Sequence, residues 1–113
     1  MMKDVNLNRR LVLEGPQRIA DGAGGHTETW QPIGEIWAEI VARTGREVTD
    51  GTAQVSSTGY KITVRAAPYG APSRPKPEQR LRAGDRIFRI EAVTDRDPLG
   101  RYLTCYAQEE VAV

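Results

Sequence analysis

The stretch that decides the fold is YKITVRA, residues 60–66, in which apolar and polar side chains alternate. Its Tyr, Ile, Val and Ala fall on one face of an extended chain, whereas its Lys, Thr and Arg fall on the other. Residues 86–93 (RIFRIEAV) and 101–108 (RYLTCYAQ) alternate in a similar way. A period of two is typical of β-strands with one face against a core and one face in water. We therefore predict that strands of this kind form the fold.

Weaker sequence patterns predict further strands in the N-terminal half. The segments predicted as strands there are 7–14, 17–20 and 27–31. Gly15-Pro16 indicates an edge or a bulge, because proline cannot donate to a central ladder. Residues 35–43 are favoured as a strand over a helix, since Gly34 and Gly45 delimit a segment too short for a typical helix.

Five or six strands with hairpin-like connections, and without helix–strand alternation, indicate an antiparallel all-β protein. An open sheet of this size would expose two edges, so we predict a small antiparallel β-barrel or sandwich with two long loops. The 113 residues are expected to form a single domain over residues 1–113. The residues predicted to form its core are Trp37, Ile62, Val64, Phe88, Ile90, Leu103 and Cys105, with Trp30 largely buried.

The two long loops span residues 46–59 and 68–85. Loops of this length are uncommon in compact domains unless they make contacts. The second loop contains four prolines, and Pro77 followed by Glu78 predicts one helical turn through Leu81. Residues 95–100 predict a turn that closes the last hairpin.

Charge is unevenly distributed along the chain. Residues 60–90 contain eight Lys or Arg and two acidic residues, a sum of +6, while the remainder contains eight basic and thirteen acidic residues, a sum of −5. This split suits head-to-tail contact between copies of the chain or contact with an anionic partner. The alternative is that these charges only solvate a loop and the outer faces of strands.

The sequence lacks the residues that common catalytic and metal sites need. His26 is the one histidine and Cys105 the one cysteine, so neither a triad nor a Cys-based zinc site is expected. Asp95 and Asp97 fit a turn better than a calcium loop. We therefore expect no enzymatic activity, no cofactor and no metal. We also expect no membrane segment, because no apolar run is long enough to span a bilayer.

Several landmarks, taken in order, resemble a known family. They are Leu11-Val12-Leu13, the turn at 21–25, Thr29-Trp30, Ile36-Trp37-Ala38, residues 60–65, LRAGDRIFRI at 81–90 and a closing strand with Leu103. Their order and spacing are similar to those of the phage head–tail joining proteins, also called head-closure or stopper proteins. Related particles called gene transfer agents carry such proteins too.

The resemblance implies a small β-barrel that forms a ring between the adaptor/portal complex and the tail, with a hexamer favoured over a dodecamer. In this family such rings retain packaged double-stranded DNA, often by loops that reach into the central channel. They also present a docking surface to a tail terminator or tail tube protein. The implied location is a virion or phage-like particle assembled in the bacterial cytoplasm, and no catalytic residues are implied.

Each long loop is a candidate contact site. The 46–59 loop is small and adaptable, and it suits a steric plug. Its candidate channel-loop residues are Val48, Thr49, Asp50, Gly51, Thr52, Ala53, Gln54, Val55, Ser56 and Ser57. The 68–85 loop is basic and stiffened by proline, which suits docking on an acidic neighbour. Its partner-contact candidates are Arg74, Lys76, Arg80 and Arg82.

Two other classes of protein stay open. An OB-like nucleic-acid-binding domain would use the outer strand faces, with Lys61, Arg65 and Arg89 meeting phosphates. In that case Trp30 and Trp37 would stack on bases, although packing in the core is favoured for both. A small barrel hydrolase or toxin would need catalytic groups that the sequence does not display.

Overall fold

The structure is a computed structural model that describes residues 4–43 and 59–110. Six strands run through this part of the chain. They are β1 (Arg9–Ala20), β2 (His26–Ala42), β3 (Gly59–Arg65), β4 (Arg80–Ala83), β5 (Arg86–Asp95) and β6 (Tyr102–Glu110). Neighbouring strands pair antiparallel, and the sheet closes into a barrel in the order β1-β2-β3-β6-β5-β4. The prediction of a small antiparallel all-β barrel is confirmed.

Alternate residues of the strands fill the interior of the barrel. The buried apolar residues are Leu11, Leu13, Ala38, Ile62, Val64, Leu81, Phe88, Ile90, Leu103, Cys105 and Ala107. Phe88 contacts the Tyr60 ring edge-to-face, with 5.2 Å between centroids and 80° between planes, an arrangement that ring quadrupoles favour. Burial raises the pKa of the Cys105 thiol to about 12, so this cysteine is an unreactive core residue, as predicted.

Trp37 is the clearest exception to the predicted core, because 55% of the residue is exposed. Its neighbours Ile36 and Ala38 belong to the core or pack against it, and successive side chains of a strand point to opposite faces. Trp37 must therefore lie on the outer face of β2, and the prediction that it is buried is wrong. Trp30 is half-buried rather than largely buried.

Thr63 departs from the predicted alternation in the opposite sense. It was expected to face water beside Lys61 and Arg65, yet it is only 2% exposed. It pairs with Thr104 of β6, which is 6% exposed. The two short side chains lie on the outer face between longer ones, which accounts for their burial outside the core.

β1 and β2 continue well past the barrel. The bulge predicted at Gly15-Pro16 lies just before it, as a shift of register between Leu13 and Glu14. β4 pairs with β1 only as far as Glu14, and β3 pairs with β2 only from Ala38 onward. Beyond these points, residues 15–31 form a two-stranded projection, here named the arm.

β4 lies inside the segment that was predicted to be a loop. Leu81 of this strand is fully buried between Leu13 of β1 and Phe88 of β5, so the predicted helical turn through Leu81 is wrong. The strand was missed because it has only four residues with a single buried apolar side chain. The second long loop is shortened to residues 66–79, and the first lies outside the described residues except for Gly59.

A buried carboxylate organises the turn between β5 and β6. Asp97, with a side chain that is 0% exposed, accepts hydrogen bonds from Arg101 N–H at 2.9 Å, Arg101 Nε at 2.9 Å and Tyr102 N–H at 3.3 Å. The Arg101 side chain, followed by these backbone donors, holds the pKa of Asp97 below its usual value. The predicted turn at residues 95–100 is therefore a tightly hydrogen-bonded hairpin.

Truncation of Phe88 tests whether the barrel depends on its largest buried side chain. We expect Phe88→Ala to lower the free energy of unfolding by roughly 3–5 kcal/mol, because it leaves a cavity and removes the contact with Tyr60. Phe88→Leu, which keeps an apolar side chain, should cost less. Thermal and urea unfolding measure both effects, and unchanged melting of Phe88→Ala would show that this face of β5 is not in the core.

Acid unfolding tests the Asp97 turn. The folded-state pKa of Asp97 is lowered, so its stabilisation is complete above the unfolded-state pKa of about 4 and is lost as pH falls through the folded-state value. We therefore expect the stability difference between the wild type and Asp97→Asn to be constant near pH 7 and to shrink below about pH 4. Asp95→Asn, an exposed site two residues earlier, is the matched control. A difference that stays constant down to acid unfolding would contradict the assignment.

Candidate assembly surfaces

Two of the four predicted partner-contact residues bind a carboxylate within the chain. Arg80 Nε donates to Glu14 Oε1 at 2.7 Å, and Arg82 Nε donates to Glu14 Oε2 at 3.0 Å. The Glu14 side chain is 6% exposed, while those of Arg80 and Arg82 are 17% and 42% exposed. The register of β1 and β4 brings the three residues together where the barrel closes. We name this group the Glu14 clamp.

The Glu14 clamp also reaches the base of the arm. The Arg80 guanidinium lies 4.3 Å from the centroid of the Trp30 ring, a cation–π contact. Trp30 pairs with Pro16 across the arm. Arg80 thus connects β4 both to β1, through Glu14, and to the base of the arm, through Trp30.

Arg74, the third predicted contact residue, folds the loop at residues 66–79. Its Nη1 donates to the carbonyl of Ala67 at 2.8 Å, and its guanidinium lies 3.8 Å from the centroid of the Tyr69 ring. The N–H of Arg74 donates to the carbonyl of Ala71 at 3.0 Å, and the adjacent Pro75 is buried. The proline-rich loop is therefore a structured segment, and the Arg74 guanidinium makes its contacts within that segment.

Lys76, the fourth residue, differs from the others in its exposure to solvent. Its backbone N–H donates to Gln79 Oε1 at 2.9 Å. The ammonium group of its side chain takes no part in this hydrogen bond. A groove runs between the loop and the arm. It is lined by Lys76, Pro77, Glu78 and Gln79 on the loop, by Gly15, Pro16, Gln17 and Gln31 on the arm, and by Ile33 of β2 next to the arm. We name this surface the arm groove.

The arm is exposed along most of its length. Residues 16–24 are all exposed, and Ile19 is 47% exposed. At its tip, Asp21 Oδ1 accepts hydrogen bonds from the N–H groups of Ala23 at 2.8 Å and Gly25 at 3.0 Å. A two-stranded hairpin is only marginally stable alone. Contact with another protein surface would therefore stabilise the arm.

The two long loops leave the barrel at opposite ends. The arm and the 66–79 loop lie where β1 leaves the barrel and β4 begins, which we name the arm end. β2 finishes at Ala42 and β3 begins at Gly59 at the opposite end, because antiparallel strands reverse direction. The candidate channel-loop residues, 48–57, join these two points and lie outside the described residues.

A bidentate ion pair covers the core at the opposite end. Arg86 Nε and Nη2 donate to the two carboxylate oxygens of Glu109 at 2.9 and 3.1 Å, and Nη2 donates to Tyr60 Oη at 3.2 Å. Pairing lowers the pKa of Glu109 and raises that of Arg86. The Arg86 guanidinium also lies 4.9 Å from the Phe88 ring centroid. This contact ties the barrel end to the core beneath it.

The outer face of β2 and β3 is a surface that sequence reasoning missed. Trp37 is 55% and Val41 50% exposed, and Lys61 and Arg65 project beside them from β3. The signal was present, because Trp37 and Val41 are out of phase with Ile36, Ala38 and Ile40. Large apolar side chains that share an exposed face are typical of protein contact sites.

The described residues offer no constellation for catalysis at a metal. Within residues 4–43 and 59–110, no group of three or more His, Cys, Asp or Glu residues is placed to hold a metal ion. In the same ranges, no helix is long and apolar enough to cross a membrane. His26 is exposed in the arm.

Two comparisons find known proteins that are similar to this chain. The family model for phage head completion protein matches residues 2–110. A solved chain from "Virion of native gene transfer agent (GTA) particle" is similar with a TM-score of 0.80 and 55% sequence identity, over 96% of this chain and 98% of that chain. No curated protein matches this chain. Both similarities span the barrel and the arm, and the resemblance predicted from the sequence is confirmed. The chain belongs to the phage head completion protein family.

Proposed function

We propose that the chain is a structural ring component of the head–tail connector of a tailed phage or gene transfer agent. Copies of the chain would close the capsid portal, retain the packaged DNA and offer the tail a surface for attachment. The observation that carries this proposal is the 55% identity, over nearly the full chain, to a protein of a native gene transfer agent virion. A hexamer is favoured over a dodecamer.

The division of the barrel into two ends supports separate roles for the two loops. A connector must meet the adaptor/portal complex and a tail terminator or tail tube protein, and it must also control its central channel. The arm end offers an exposed arm, the arm groove and Lys76, which suit docking. Residues 48–57 start from the opposite end, so their contacts can differ from those of the docking surface.

The docking role of the basic loop is narrower than its composition indicates. Arg80 and Arg82 are bound to Glu14, and Arg74 is bound within its own loop. Lys76 is the member of the predicted set whose charge is most available to an acidic neighbour. We therefore assign docking to Lys76 and the arm groove, with Arg74, Arg80 and Arg82 as residues that hold this surface in place.

A small nucleic-acid-binding domain is the second candidate function. Lys61 and Arg65 are exposed beside Trp37 on the outer face of β2 and β3, a combination that single-strand-binding barrels use. Strong binding of free DNA that weakens steeply with salt would favour this function over a connector. A connector ring needs to block the channel by sterics, with few phosphate contacts.

Particles made without this protein, and with a loop deletion, test the proposal. We expect heads without the chain to be tailless and empty of DNA. Deletion of Val48–Ser57 should leave joining intact but let packaged DNA leak, because the channel would no longer be narrowed. Electron microscopy and nuclease protection of DNA in purified particles measure both effects.

Lys76→Glu is the matched comparison at the other end of the barrel. We expect this variant to fold and to retain DNA but to join fewer tails. Particles that carry no copies of this chain at the head–tail joint would contradict the proposed function. A deletion variant that retains DNA as well as the parent would contradict the role of residues 48–57.

A further inference from the structure

One side of the barrel is both apolar and basic. Trp37 and Val41 of β2 are exposed, and Lys61 and Arg65 of β3 are exposed beside them. Arg43 adds a third cation that lies 5.4 Å from the Tyr106 ring centroid. Two carboxylates lie on this side. The half-buried Glu39 accepts a hydrogen bond from the N–H of Asn6 at 3.0 Å, and the exposed Glu35 pairs with Arg10 at 3.9 Å. We name this surface the β2–β3 face.

The side across the barrel carries the opposite charge. In the strand order β1-β2-β3-β6-β5-β4, β5 lies diametrically opposite β2. Its exposed carboxylates are Glu91 and Asp95, and Asp85 and Glu110 flank its N-terminal end. The cations there are Arg89 and the half-buried Arg96, so the sum of these charges stays negative. We name this surface the β5 face.

Some charged side chains on each face form no ion pairs with other described residues. The ion pairs of residues 4–43 and 59–110 join Arg10 to Glu35, Arg80 and Arg82 to Glu14, Arg86 to Glu109 and Arg101 to Asp97. None of these pairs includes Lys61, Arg65, Glu91 or Asp95. Two complementary charged surfaces thus lie on opposite sides of one molecule without a partner among the described residues.

The positions of these charges along the barrel also match. On one side of β6, Lys61 pairs with Tyr106 and Arg65 with Tyr102. On its other side, Glu91 lies in the bulge beside the Ala92–Tyr106 pair, and Asp95 pairs with Leu103 at the end of β5. β3 and β5 run in the same direction, because each is antiparallel to β6. A rotation about an axis along the strands preserves that direction. It would bring Lys61 of one copy toward Glu91 of the next, and Arg65, the last residue of β3, toward Asp95, the last residue of β5.

We propose that the β2–β3 face of one copy of this chain binds the β5 face of the next copy, with Trp37 and Val41 buried in the contact. This inference rests on the proposed ring and names the two surfaces that build it. Closed rings require such heterologous contacts, in which one surface meets a different one. A two-fold dimer through the β2–β3 face would instead place cations against cations. DNA on the β2–β3 face would leave the matching carboxylates of β5 unexplained.

Cysteine crosslinking in assembled particles tests the contact directly. Cys105 is the one native cysteine and is buried, so added surface cysteines react alone. We expect the double variant Lys61→Cys/Glu91→Cys, treated with a short bismaleimide, to give a ladder of covalent species longer than dimers. Each single variant, Lys61→Cys or Glu91→Cys, is the matched control and should remain monomeric, because the two positions meet only each other.

Charge reversal provides an independent measurement. Lys61→Glu/Arg65→Glu should reduce joined particles by about tenfold or more, because like charges would meet across the contact. Adding Glu91→Lys/Asp95→Lys to the same chain should restore joining. Arg9→Glu, an exposed charge at the start of β1, is the control for reversal outside both faces and outside the arm, and it should leave this contact intact.

The outcomes separate this inference from the proposed function. A ring visible at the head–tail joint without a crosslinked ladder, and without rescue by the compensating reversal, would overturn the assigned faces while leaving the ring in place. Dimers from Lys61→Cys alone would show a two-fold contact and would also overturn it. Joints without any copies of the chain would overturn the proposed function itself.

Discussion

The barrel depends on one carboxylate held between two guanidinium groups. β4 has four residues and pairs with β1 through only three positions, too few backbone contacts to secure a seam on their own. Glu14 compensates with two charge-assisted hydrogen bonds, at 2.7 Å to Arg80 and 3.0 Å to Arg82. Its near-complete burial excludes the water that would weaken them. The shortest strand of the sheet is thus fixed by side chains.

The position of the Glu14 clamp links the seam to the surfaces that the proposed function uses. Glu14 follows the register shift in β1, directly before the arm leaves the barrel. Arg80 contacts Trp30 at the base of the arm, and β4 directly follows the loop that forms the other wall of the arm groove. Loss of the clamp would therefore disturb the arm end first. At the opposite end, Arg86 and Glu109 hold a separate closure.

The fold was largely predictable from the sequence because the decisive strands alternate over most of their length. The alternation in residues 60–66 and 86–90 identifies their core faces, and Phe88, Ile90 and Leu103 are buried as expected. After Ile90 a bulge changes the phase of β5, so that Val93 and not Ala92 packs against the core. β4 was not predictable, since its strand state is set by pairing with β1 and β5 and not by its own composition. The prediction for Trp37 was wrong because it relied on the large apolar side chain and not on the alternation of β2. Its neighbours Ile36 and Ala38 occupy the core side of the strand.

The contact surfaces were less predictable, because a charged residue in a sequence does not reveal its partner. Arg80 and Arg82 belong to a basic segment by composition, but the fold places both on a single acidic residue 66 and 68 positions away in the chain. The cations that remain available lie on β3, across the barrel from carboxylates on β5. Only the closed strand order shows that the two sets are on opposite sides.

Hydrogen–deuterium exchange of Glu14→Gln tests the role of the clamp most directly. Glu35→Gln is the matched control, because Glu35 pairs with Arg10 at 3.9 Å in an exposed position. We expect amides of β4 and the facing part of β1 to exchange about ten- to a hundredfold faster in Glu14→Gln, as loss of hydrogen bonds to a charged group worth about 1.5–3 kcal/mol implies. Amides shared by β3 and β6 should keep their protection. Protection of β4 that equals the wild type, or that falls equally in every strand, would contradict a seam held by Glu14.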